Sequence, residues 1–208
     1  MKVFESWCLG LAIRYVCKVG EEILRKKSKE VKKVDQKIIR ILEDMADTLQ
    51  EADGLGLAAP QVGILKRLVV INVGDGLIEL INPVITEQEG NQLFMEGCLS
   101  YPGFYGRVER PINVTVRSLD RKGAEVEYKA DGVMAVAVCH EIDHLNGVMF
   151  LDKVQGELYT AEQVKEMEER ELAEREKTEQ EREGQERAES RSGEQQPDES
   201  RLEAHPEP

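Results

Sequence analysis

Histidine is scarce in this 208-residue sequence: there are three, His140, His144 and His205. No run of about 18 apolar residues is present to span a membrane, and no internal repeat falls at a solenoid period. None of the four cysteines, Cys8, Cys17, Cys98 and Cys139, forms a C-x-x-C pair. Residues 1–11 hold one lysine and an apolar stretch broken by Glu5, too short and polar for a secretory core. These absences point to a reducing, cytoplasmic compartment with the cysteines as thiols, and to no membrane partner. A basic excess is missing as well. With 41 acidic against 28 basic side chains and a net charge of −13, the chain gains nothing from counterion release on nucleic acid, so DNA is not an expected partner.

What is present is unevenly spread. From residue 157 onward there are eighteen acidic and eight basic side chains, so most of the charge lies in the tail. Apolar residues are dense between positions 31 and 154 and thin out after Leu172. The expected organisation is an N-terminal extension over residues 1–11 and a compact body over 12–158. A charged helix over 159–183 and a disordered acidic tail over 184–208 follow. Monomer is the expected state.

Within the body, Asp35 stands as an N-cap before Ile38, Ile41, Leu42, Met45 and Leu49 at helical spacing, with a stop near Asp53 and Gly54. Residues 54–61, Gly-Leu-Gly-Leu-Ala-Ala-Pro-Gln, read as a shaped loop. Residues 67–73 and 77–85 are β-branched runs joined by a Gly-Asp-Gly turn, and 112–119 with 124–129 form a second such pair. Residues 96–100, Glu-Gly-Cys-Leu-Ser, lie between the pairs and set Cys98 in a turn. A second helix runs from Asp131 to the Asn146-Gly147 stop. Helix, antiparallel strands, helix is an α+β order, with the sheets expected to pack around the second helix. In the tail, Thr160 and Gln163 form a capping-box pattern, and alternating Glu and Arg support a helix to about Arg182. Beyond Gly184 the composition is too polar to order itself by burial.

The second helix carries His140-Glu141-Ile142-Asp143-His144, an H-E-x-x-H motif. Residues four apart share a helix face, so both imidazoles can reach one divalent ion, with Glu141 placed to take a proton from water. The plain alternative is a polar helix edge facing solvent. The apolar run 133–139 argues against it, because buried histidines and a carboxylate need partners. A catalytic ion usually takes three protein ligands and leaves one position to water. His205 lies in the tail, so the third ligand belongs to another residue type. Cys98 is the candidate, with an ordinary buried thiol as the alternative.

Three segments together, residues 54–61, 96–100 and 140–144, resemble the signature segments of bacterial peptide deformylases, in the same order. The resemblance covers roughly residues 11–153. It implies metal ligation by Cys98, His140 and His144, and a general base and acid at Glu141. It also implies oxyanion donors at the Gln61 side chain and the Leu99 backbone N–H. Substrate contacts are implied at Gly54, Leu55 and Gly56, with a methionine pocket at Leu55, Val133 and Val136. One divalent ion per chain is expected. A Cys-His-His set suits zinc, while the resemblance implies ferrous iron in the cell, with zinc, nickel or cobalt able to occupy the site. A cysteine-ligated ferrous ion would be oxygen-sensitive.

The implied reaction removes the formyl group from N-formyl-methionyl nascent peptides, at the ribosome's vicinity but without docking through the acidic tail, which ribosomal RNA repels. Asp143 is expected to support a ligand or join a buried ion pair, with Arg110 as its partner. Cys139 should point away from the metal face as a structural thiol. Two departures stand out: Tyr105 occupies a place where some family members carry arginine, and family chains tend to start near Ala12, so Leu11 is a candidate initiation site. Of the rival readings, a zinc endopeptidase would need a downstream His or Glu ligand. A noncatalytic metal-binding relative would be expected to lack Gln61, Cys98 or Glu141, and none is missing.

Overall fold

The computed structural model describes residues 12–193. The expected N-terminal extension and residues 194–208 lie outside the described residues. The chain divides after Ala161 into two compact units. In the first, α1 spans Gln36–Glu51, β1 Gly56–Ala58, β2 Leu68–Ile71, β3 Ile78–Glu89, β4 Gln92–Cys98 and β5 Tyr101–Arg110. Then come β6 Asn113–Leu119, β7 Glu125–Asp131, α2 Gly132–Leu145 and β8 Val154–Thr160. The described part of the second unit is one helix, α3, Ala161–Gly193.

Asp35 caps α1 as expected, its carboxylate accepting from the N–H groups of Lys37 and Ile38 at 3.0 Å each. The residues at helical spacing, Ile38, Ile41, Leu42, Met45 and Leu49, are the ones it buries. The β2–β3 and β6–β7 pairs are antiparallel neighbours in one five-stranded sheet ordered β1-β2-β3-β6-β7. Every residue of β2 is buried, which explains its unbroken apolar run. Leu68 and Val70 face the cluster built on α1, while Val69 and Ile71 face the cluster built on α2. Burial on both sides removes the polar alternation of a half-exposed strand.

The second sheet is three-stranded and antiparallel, β4-β5-β8, and its strands were not among those expected from the sequence. Its strands lack the β-branched runs that mark the others: β5 reads Tyr-Pro-Gly-Phe-Tyr-Gly-Arg-Val-Glu-Arg. Its glycines are seats for neighbours. A Cβ on Gly97 would meet the Tyr105 ring at 2.7 Å, and one on Gly106 would meet Val154 at 2.6 Å. Residues 54–61 also correct the expectation of a loop, since they contain β1 and a 3-10 turn at Ala59–Val62.

α2 packs against β1, β2 and β7 of the larger sheet and against β5 of the smaller one, so antiparallel sheets flank the helix that carries His140 and His144. The helix stops at Asn146, and Gly147 turns with φ 76° where a side chain would strike the Arg25 carbonyl. Cys17, Cys98 and Cys139 are free thiols, and Cys139 is buried in the core between α2 and the larger sheet. α3 begins directly after Thr160 and runs to Gly193, beyond the helix end expected near Arg182. Among the described residues no helix is long and apolar enough to cross a membrane.

Candidate metal centre and active site

The α2 helix places His140 and His144 one turn apart, and the β4–β5 turn brings Cys98 to them across 46 positions of sequence. Cys98 Sγ lies 3.2 Å from His144 Nε2, which lies 3.2 Å from His140 Nε2. The three ligand atoms all fall within 4.8 Å of one another. Tetrahedral bonds to nitrogen and thiolate sulfur would separate such donors by roughly 3.4–3.6 Å. His140 Nδ1 meets Glu96 Oε2 at 2.7 Å, so Nδ1 donates to the carboxylate and Nε2 faces the other two ligand atoms. Two ring nitrogens and a soft sulfur converging in a buried place fit a divalent cation, which binds their deprotonated forms. These residues could hold one.

Around the ligands lies a buried charge network. Arg110 binds Glu96 through Nε at 2.5 Å and through a terminal nitrogen at 3.0 Å, and reaches Asp143 at 2.6 Å. Lys153 closes the outer end on Asp143 at 2.6 Å. The Arg110–Asp143 pairing expected from sequence is present. The role of Glu96 was missed, although it stands two residues before Cys98 in one of the recognised segments. Burial alone would raise the Glu96 carboxyl, but hydrogen bonds from His140 and Arg110 hold it below its ordinary value. Burial likewise pulls His140 down, and its bonds to Cys98 and Glu96 outweigh that and raise it. His144 is lowered by burial and by the charge on His140.

Glu141 follows His140 on α2. Burial lifts its carboxyl to about 7. Its Oε2 is buried without a hydrogen-bond partner. Gly56 makes room for it: a Cβ there would sit 2.5 Å from Glu141 Oε1. Gln61 is fixed in one orientation, because its Oε1 accepts from the Ala58 N–H at 2.7 Å. Its amide nitrogen therefore faces Ser100 Oγ at 3.3 Å and Cys98 Sγ at 3.7 Å. The part of Ser100 in that contact was also missed.

A cleft of about 610 Å³ opens onto this cluster. Gly54, Leu55, Gly56, Gln61, Cys98, Leu99, Val133, Val136, His140 and Glu141 all line it, so the residues picked from sequence come together. His144 lies behind them, against Cys98 and His140. Leu55 and Val133 are exposed at 51% and 41%, as cleft walls rather than core, whereas Val136 is buried. Sequence reading did not find the aromatic wall from β5, where Tyr101 and Phe104 stack at 5.1 Å beside Tyr105.

The family model of polypeptide deformylases matches residues 13–158. The chain belongs to the polypeptide deformylase family. A peptide deformylase of Thermoanaerobacter pseudethanolicus is 56% identical over 159 residues, which is 76% of this chain and 100% of that one. The crystal structure of peptide deformylase from Thermotoga maritima superposes with a TM-score of 0.68 at 38% identity, covering 69% of this chain and 99% of that chain. A Met-Ala-Ser-bound peptide deformylase from Acinetobacter baumannii does so with 0.67 at 33%, covering 70% and 100%. Polypeptide deformylases are metal-dependent hydrolases that remove the formyl group from an N-terminal methionine, and this chain is an enzyme of that family.

Proposed function

We propose that Cys98, His140 and His144 ligate one divalent ion and that Glu141, Gln61 and the Leu99 N–H carry out the hydrolysis beside it. The observation that carries this reading is the convergence of the three ligand atoms next to a buried carboxylate with one oxygen unpartnered. A bound ion supplies Lewis-acid polarisation of the formyl oxygen and acidifies the attacking water. Glu141 takes a proton from that water, whose oxygen bonds to the formyl carbon. Gln61 Nε2 and the Leu99 N–H donate to the oxygen that gains negative charge. Glu141 then hands its proton to the departing amine as the C–N bond breaks, leaving formate and a free methionyl terminus.

The substrate is a nascent polypeptide beginning with N-formyl-methionine. Leu55, Val133 and Val136 receive the methionine side chain, while Gly54 and Gly56 let its backbone approach closely. The Met-Ala-Ser bound to the relative from Acinetobacter baumannii supports a peptide of that kind in this cleft. Ferrous iron is the proposed cellular ion, with zinc, nickel or cobalt able to replace it, and a monomer working in the cytoplasm near the ribosome is the proposed form. The acidic α3 does not dock on ribosomal RNA. Residues 12–158 are the catalytic body, and α3 is a solubilising appendage.

Formate release from formyl-Met-Ala-Ser by anaerobically purified protein tests the assignment. Glu141→Ala should lower kcat by about 10²–10⁴-fold, the usual worth of a positioned acid–base group. Full activity in that variant, or none in the metal-loaded parent, would overturn it.

A further inference from the structure

The turn between β4 and β5 leaves the carbonyls of Leu99 and Ser100 outside the strand ladder. Register shifts between Gly97–Tyr105 and Cys98–Tyr101, so the two turn residues pair with neither strand. Ser100 is fully buried and Leu99 half-buried, and carbonyls in such places need donors. One stretch of chain supplies both. Lys18 Nζ donates to the Leu99 carbonyl at 2.8 Å, and the Val19 N–H donates to the Ser100 carbonyl at 2.9 Å. Just before them, the Cys17 N–H donates to the Gln61 carbonyl at 2.7 Å. Residues 17–19 thus tie together the two segments that bear the proposed oxyanion donors.

The stretch is itself anchored. The Arg14 N–H binds Thr48 Oγ1 at 2.9 Å, its guanidinium meets Asp44 at 2.6 Å, and Glu21 accepts from the Lys18 N–H at 2.7 Å. Lys18 is the one Lys or Arg among the described residues lining the cleft, and its ammonium is bonded to the turn.

We infer that Lys18 is a positioning residue for deformylation, gripping the Leu99 carbonyl so that the N–H of the same residue stays aimed at the formyl oxygen. This rests on the proposed role of Leu99. A displacement of about 1 Å in a reacting geometry can cost on the order of 100-fold in rate, so losing one of the two bonds to the turn's carbonyls should be read in kcat.

The test compares full-length parent, Lys18→Met and Lys18→Arg, each assayed on formyl-Met-Ala-Ser with metal content and Tm measured in parallel. Lys18→Met should lose about tenfold in kcat, a partial loss of what one oxyanion donor is worth, with KM, metal content and Tm close to parent. Lys18→Arg, which keeps a cationic donor, should recover most of it. Unchanged kcat, a raised KM alone, a loss tracking Tm or metal content, or no recovery in Lys18→Arg would each overturn the inference. Formate release by the parent in the same series separates this failure from failure of the deformylase assignment itself.

Discussion

At Gly56 the missing side chain sets the distance between the β1 backbone and the proposed base. A Cβ there would lie 2.5 Å from Glu141 Oε1 and 2.8 Å from its Cγ, so alanine would push the carboxylate out of line. Gly56→Ala should therefore lower kcat/KM by about 100-fold, the scale of a 1 Å misplacement, while the fold survives. Glu141 also fixes the sign of the pH response. The base works as the carboxylate, and burial raises its carboxyl to about 7, so activity falls as pH drops through that value. A divalent cation nearby favours the carboxylate and moves the midpoint lower. A kcat/KM profile of parent and variant checks both points: the parent shows an acid limb centred at or below about 7, and the variant a depressed plateau.

At the scale of elements, α2, β4 and β5 are joined by the buried Glu96–Arg110–Asp143 set. Arg110 is 3% exposed, and removing it takes both guanidinium bonds from the buried Glu96 and leaves Asp143 with Lys153 alone. Arg110→Met should cost about 3–5 kcal/mol in chemical denaturation, as broken buried pairs do. It should also weaken metal retention through Glu96 and His140. This network shows how far the sequence could be read. Arg110 was paired with Asp143 because it matches an arginine of the family, but the carboxylate that orients His140 was hidden inside a segment recognised for its cysteine. α1, α2 and the larger sheet were legible because their apolar residues keep the helical or strand period. The smaller sheet was not. Its strands rely on Gly97 and Gly106 as seats for Tyr105 across the hairpin and for Val154 from β8, contacts that no hydrophobic period records.

At the scale of the molecule, the chain separates into a body bearing every proposed site residue and a polar helix beyond Ala161. The helix outran its expected end near Arg182 and runs to Gly193. Glu, Arg, Gln and Ala are good helix formers, and one glycine costs only about 1 kcal/mol against them. Composition could say that the tail buries nothing; it could not say where its backbone stops turning. The candidate site was more legible than the smaller sheet that supports it, because two histidines on one helix narrowed the ligand sets and the resemblance of residues 54–61 and 96–100 to deformylase segments implied the rest. The central claim is that this ligand set includes Cys98. Elemental analysis of anaerobically purified protein, parent beside Cys98→Ala, tests it most directly. The account predicts one divalent ion per chain in the parent and little in the variant; a variant that keeps its full ion would contradict it.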